Sequence, residues 1–325
     1  MTPRRRQALA RFRKAVAMQE GTIRRAFEQA VRERKESINL TALAAAIEAR
    51  DIGRAIDIAG ITRADMFPFD QAVKGAYFEG GGLIAAEAPA FAARIALDGN
   101  APRAVEWARA NVGGLITRVV EEQRDNIRTI ITQQVADGRG PVAAARAVRA
   151  EIGLTSQQSG FVDNARRQLG DLDASYFTRK LRDRRFDGIV RRAIDDGKPL
   201  SQVDVDRITA RYSERLLKHR SEVIARTESI NALRAGRAEG LKQAIEQGAV
   251  RADRVTKVWN ATGDGRTRDD HAAMDGVEVE GIDTPFILPD GSMMQFPGDS
   301  SMGAAPEQII QCRCYFENRI DWLRP

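Results

Sequence analysis

Between Pro102 and Thr284 the chain contains three prolines, Pro102, Pro141 and Pro199, and as far as Gly240 its apolar residues return mainly every three or four positions. That spacing places them on one face of a helix, and no other regular element buries such a set together. Val105, Ala108, Val112, Leu115, Ile116, Val119, Ile127, Ile130 and Ile131 form one such stripe. It predicts a helix opened by Asn100-Ala101-Pro102 and stopped near Gly138. Gly140-Pro141 opens a shorter helix that ends near Gly153, and Thr155 or Ser156 caps the next. Ser201 is placed to cap a long helix through Ile208, Tyr212, Leu216, Val223, Ile224 and Ile230 to Gly240. Residues 1–100 read as helix too, but broken at Gly53, Gly60, Pro68, the Glu-Gly-Gly-Gly run at 79–82, and Pro89. No fixed-period repeat accompanies the pattern.

The texture changes toward the end. Pro285, Pro289, Pro297, Pro306 and Pro325 crowd the last 41 positions. The β-branched and aromatic content of RVTKVWNA predicts a strand. TRDDHAAM predicts a short helix, with Thr267 as its cap and Asp270 as the capping-box acid. LPDGSMMQFPGD predicts a hairpin turning at Asp-Gly, and QCRCYFEN a closing strand. The expected fold is mainly α: a broken helical region over 1–100 and a long-helix body over 101–240, followed by a small compact α+β domain over 241–325.

Composition narrows the class. Of 325 residues 43% are hydrophobic and 30% charged, the balance of a globular chain. No apolar run is long enough to span a bilayer. The basic start MTPRRRQALARFRK lacks the apolar core of a secretory signal, although composition leaves an amphipathic transit peptide open. The formal charge of +6 is unevenly spread: residues 1–240 carry 42 Lys+Arg against 31 Asp+Glu, and residues 241–325 carry 9 against 14. An acidic partner such as DNA would account for that asymmetry, and so would plainly solvated arginine-rich helices. Arg4, Arg5, Arg6, Arg11, Arg13 and Lys14 are the candidates for sequence-independent phosphate contacts with double-stranded DNA.

Four motifs follow in order: VIARTESINALRAGRAEG, VWNATGDGRTRDDHAAMDG, PDGSMMQFPGD and Cys-Arg-Cys. Together they resemble the C-terminal signature of the phage Mu F-like minor head protein family, also called the head morphogenesis family. The helical stretch from about 101 onward resembles the region that precedes this signature. One departure stands out: Gln311 occupies the place where the family usually has Asn before Cys-Arg-Cys. The resemblance implies a structural, non-enzymatic minor protein of a tailed-phage head. Its expected place is the virion, at the head interior or portal vertex, after assembly in the host cytoplasm. It would assemble beside the portal protein and the major capsid or scaffolding protein, with a role in DNA ejection among the expectations.

The motif residues admit several chemistries. His271, Cys312, Cys314 and Asp275 have the ligand types of a tetrahedral site for one structural zinc. The same residues could form a metal-free polar cluster in which the thiols are reduced core groups. Alternatively, Asp264, Asp269, His271 and Asp275 could bind a divalent metal for a phosphodiesterase or another effector enzyme carried in the head, with His271 as general base. Trp259 is expected to cover the small core, Asp264 to accept turn N–H groups, and Arg266 or Arg268 to reach a carboxylate such as Glu228. Arg226 and Glu228 lie inside the long helix, where an ion pair to the following domain is the economical reading.

Overall fold

A computed structural model describes residues 3–87 and 96–320, with side chains from Arg6 onward. The expected break at Pro89 and the side chains of Arg4 and Arg5 therefore lie outside the described residues. The protein is mainly helical, with a small C-terminal set of antiparallel strands. Two compact units are each assembled from separated stretches of chain. One takes Met1–Ala26, Phe69–Gly114 and Glu222–Pro325; the other takes Phe27–Pro68 and Leu115–Ser221.

The second unit is all helix. It contains the end of α1 (Pro3–Ser37), then α2 (Leu40–Glu48) and α3 (Ile52–Ala59). Asn39 and Asp51 cap these two helices by accepting the amides of Ala42 and Arg54. Farther along come α6 (Gly114–Ala136), α7 (Pro141–Glu151), α8 (Ser156–Gly170) and α9 (Asp187–Asp195). Thr155 and Gln158 form a capping box at the start of α8. Gly138 and Gly153 take positive φ values after α6 and α7, as their lack of a Cβ allows. The core joins Leu154, Val162, Leu169, Tyr176 and Val190 to Ile208, Tyr212 and Leu216 on the first half of α10 (Gln202–Glu246). Ser201 caps that helix, accepting the Asp204 amide.

The first unit holds the start of α1, α4 (Phe67–Glu87), α5 (Pro102–Trp107) and the second half of α10. Two expectations fail here. The Glu-Gly-Gly-Gly run does not break a helix; it lies within α4, and α10 likewise runs past Gly240 to Glu246. A Cβ on Gly80 would overlap the Leu233 carbonyl, and one on Gly236 would overlap the Tyr77 carbonyl. A Cβ on Gly240 would stand 3.1 Å from Cα of Gly81. The glycines let two helix backbones touch, and that contact outweighs their poor helix propensity. The helix from Pro102 also differs from expectation. Ala101, not Asn100, is its N-cap, and a π turn over Ala108–Gly113 separates α5 from α6. The π turn shifts the apolar phase, so Val105 is exposed although Val112 is buried.

After α10 the same unit contains β1 (Val255–Asn260), α11 (Asp269–Ala273), β2 (Glu278–Glu280), β3 (Phe286–Ile287), β4 (Met293–Met294), α12 (Pro306–Ile309) and β5 (Tyr315–Ile320). β1 is the centre of an antiparallel sheet in the order β2-β1-β5, with Trp259 opposite Phe316. β3 and β4 form the hairpin, turned at Gly291 with φ +85°. Among the described residues no helix is long and apolar enough to cross a membrane.

Candidate functional site

The site grows from the end of β1. Trp259 is fully buried there, edge-on to the His271 ring at 5.3 Å and to the Phe286 ring at 5.3 Å. A turn then carries the chain to α11. Asp264 organises this turn, accepting the Arg266 amide at 3.0 Å while its own amide bonds the Thr267 hydroxyl. Thr267 therefore serves the turn. The N-cap of α11 is Arg268, without a side-chain cap bond, and Asp270 accepts from Gln308 instead of closing a capping box.

His271 projects inward from α11. Its Nδ1 stands 3.5 Å from Sγ of Cys312 and 3.5 Å from Sγ of Cys314. All three side chains are buried. The cysteines are not on the expected strand: β5 begins at Tyr315, after them. Their backbone carbonyls are taken by a side chain that sequence reasoning missed. Arg234, fully buried on α10, donates to the carbonyls of Cys312 and Cys314 and to that of Pro297. The same guanidinium lies 3.8 Å from the Cys312 sulfur. The Thr227 hydroxyl, one residue past Arg226 on α10, accepts the Gln311 amide. The hydrogen bond with Cys314, then the Arg234 charge and the His271 hydrogen bond, hold the Cys312 thiol well below its usual value against the effect of burial; the same hydrogen bond, together with burial, moves Cys314 the opposite way.

A second missed arginine, Arg237, is also fully buried. It forms a bidentate pair with Glu87 on α4 and lies over the Tyr315 ring. Both arginines carry a signal in the sequence. Ile230, Arg234, Arg237 and Leu241 recur at steps of four, three and four, so the two cations sit in phase with the core. Lys257 on β1 was missed as well: it is buried and donates to the carbonyls of Ile282 and Gln295, and burial lowers its pKa to about 8.

The remaining candidates separate. Asp275 is exposed and accepts the Ala261 amide at 2.9 Å; it is not in the group formed by His271, Cys312 and Cys314, so the four-ligand set becomes three. Asp264 meets Arg313 in a bidentate pair, both contacts at 2.6 Å, and Arg313 holds its carboxyl well below the usual range. Arg313, between the two cysteines, thus supplies the cation that pairs with the carboxylate of this turn. Arg268 donates to the Ile310 carbonyl, and Arg226 pairs with Glu20 on α1 instead of a carboxylate of the following module. Glu228 lies on α10. At the N-terminus, Arg6, Arg11, Arg13 and Lys14 are exposed, with Arg11 bonded to the Ala86 carbonyl. Phe12 is buried against Tyr315, with ring centroids 4.9 Å apart, and is closed to stacking on a base.

Gln311 has φ +57°. Asn enters this left-handed region more readily than Gln, which gives the departure noted before Cys-Arg-Cys a backbone meaning.

Comparison with known families matches residues 185–317 to the family described as Phage Mu protein F like protein. The match begins before α9 and closes inside β5, enclosing Arg234, the β1 turn, His271 and both cysteines. No curated protein and no solved structure matches the chain.

Proposed function

We propose, on the premise that residues 185–317 make this chain a Phage Mu F-like protein, that it is a structural minor component of a tailed-phage head. It would join the particle beside the portal and the capsid or scaffolding protein. The family match is the observation that carries the reading, and the use made of the matched residues agrees with it. Asp264 holds Arg313, Arg268 holds the Ile310 carbonyl, Asp275 holds the Ala261 amide, and Arg234 holds the cysteine segment. Each ties the C-terminal module together or to α10. Asp264 and Asp275, two of the three acids of the phosphodiesterase alternative, are engaged in these contacts, and the groups gathered at His271 among the described residues are the two thiols.

The reading is tested by particle composition. Heads made with the intact gene should contain the protein in a fixed ratio to the portal protein, and deletion should leave defective or empty heads. Normal, infectious heads without the protein would refute the reading. Contact with packaged DNA is a finer part of the same proposal and rests on exposed Arg6, Arg13 and Lys14 on α1. The full chain should retain duplex DNA at low salt and release it steeply as salt rises. Replacing these three residues by alanine should weaken retention for all sequences alike.

A further inference from the structure

We infer that His271, Cys312 and Cys314 bind one zinc ion through Nδ1 and the two sulfurs, with the fourth position left to a small exogenous ligand such as water. The first reason is geometric. Zinc takes thiolate sulfur at about 2.3 Å and imidazole nitrogen at about 2.0–2.1 Å in a tetrahedron, so the N···S edge of such a site is about 3.5–3.6 Å. Both observed edges are 3.5 Å, and all three ligand atoms lie within 4.8 Å of one another. A hydrogen bond explains this less well. Nδ1 carries either one proton or one lone pair, which two sulfurs at the same distance would have to share in a weaker bifurcated contact. Equal distances to two sulfurs are what a shared central ion produces.

The second reason is the preparation of the ligands. The cysteine segment is held in place from α10, by Arg234 through its carbonyls and by Thr227 through the Gln311 amide. Arg234 is a buried cation whose described hydrogen-bond partners are Asn231, three carbonyls and the Cys312 sulfur. Thiolate there is its natural counter-charge, and thiolate is the form that binds metal. A disulfide between residues two apart would close a strained ring, and both cysteines are free. The donor set also selects the metal. Two thiolates and one imidazole suit zinc, whereas magnesium and calcium require oxygen, and iron–sulfur clusters use more cysteines.

The test uses the full chain, purified reduced and without chelator. Elemental analysis should find about one zinc per chain. Cobalt(II) added to the stripped protein should give the visible absorption of a tetrahedral thiolate complex. Cys312→Ser, Cys314→Ser and His271→Ala should each lose the metal, and Asp275→Asn should keep it. A wild-type protein that is folded by circular dichroism, free of zinc and silent to cobalt would overturn the inference. Loss of metal in Asp275→Asn would overturn the three-ligand geometry. Cobalt binding by the wild type keeps the test decisive even where a cysteine variant fails to fold. None of these measurements depends on head assembly, so this inference and the structural reading can fail separately.

Discussion

At the scale of single residues, local backbone geometry and burial each lead to a measurable expectation. Gln311 sits in the left-handed region at φ +57° and gives its amide to Thr227. Gln311→Asn should therefore raise the melting temperature, by a stability gain of about 0.5 kcal/mol, because Asn loses less on entering that conformation. A lower melting temperature would show that the longer side chain matters more than the backbone. Glu151 presents a different balance. It is buried at the end of α7, and desolvation raises its pKa from 4.5 to about 7. The folded chain thus holds its proton to a higher pH than the unfolded chain does. The associated stability is complete below about pH 4.5 and is lost as pH rises through about 7, a change on the order of 3 kcal/mol. Lys35, lowered by burial to about 8, remains charged through most of that window. Urea denaturation between pH 4.5 and 7.5 should show the loss in the wild type and a much flatter response in Glu151→Gln. Equal slopes in the two proteins would locate the pH dependence elsewhere.

Among elements, the contact of α4 with α10 depends on side chains that are absent. Gly236→Ala should cost about 1–3 kcal/mol in denaturant unfolding, since its Cβ has no room beside the Tyr77 carbonyl. Gly82, in the same run of α4, has nothing within 4 Å of its would-be Cβ. Gly82→Ala should stabilise by up to about 1 kcal/mol through helix propensity alone. If both changes acted alike, the glycines would matter for flexibility instead of close approach.

For the whole molecule, the two units are discontinuous in sequence, and the C-terminal module relies on residues far upstream. Phe12 packs on Tyr315, Thr227 and Arg234 hold the cysteine segment, and Arg237 lies over Tyr315. A fragment of residues 241–325 lacks all four. It should show little amide protection in hydrogen exchange, while the same residues in the full chain are protected. A protected, cooperatively unfolding fragment would mean that these ties add to a module already stable on its own.

Helical class, several caps and stops, and the altered texture after residue 240 were legible from the residues in order. Each depends on neighbours a few positions apart: the cap at Thr155, the Gly138 and Gly153 turns, the Asp-Gly hairpin. The four motifs also carried the family resemblance, because they are contiguous stretches. What could not be read in this way depends on distance. The Gly80–Gly82 run looks like a break until another helix needs the space, and Asp264 has several arginines nearby in sequence but pairs with Arg313, 49 positions on. Arg234 and Arg237 lie in the core phase of α10, yet their burial is favourable only because carbonyls about 63 to 80 residues later and Glu87, 150 residues earlier, meet them. Propensity and periodicity are summed along a few turns of chain. Close approach and the pairing of buried charge exist only once the chain has brought its distant parts together.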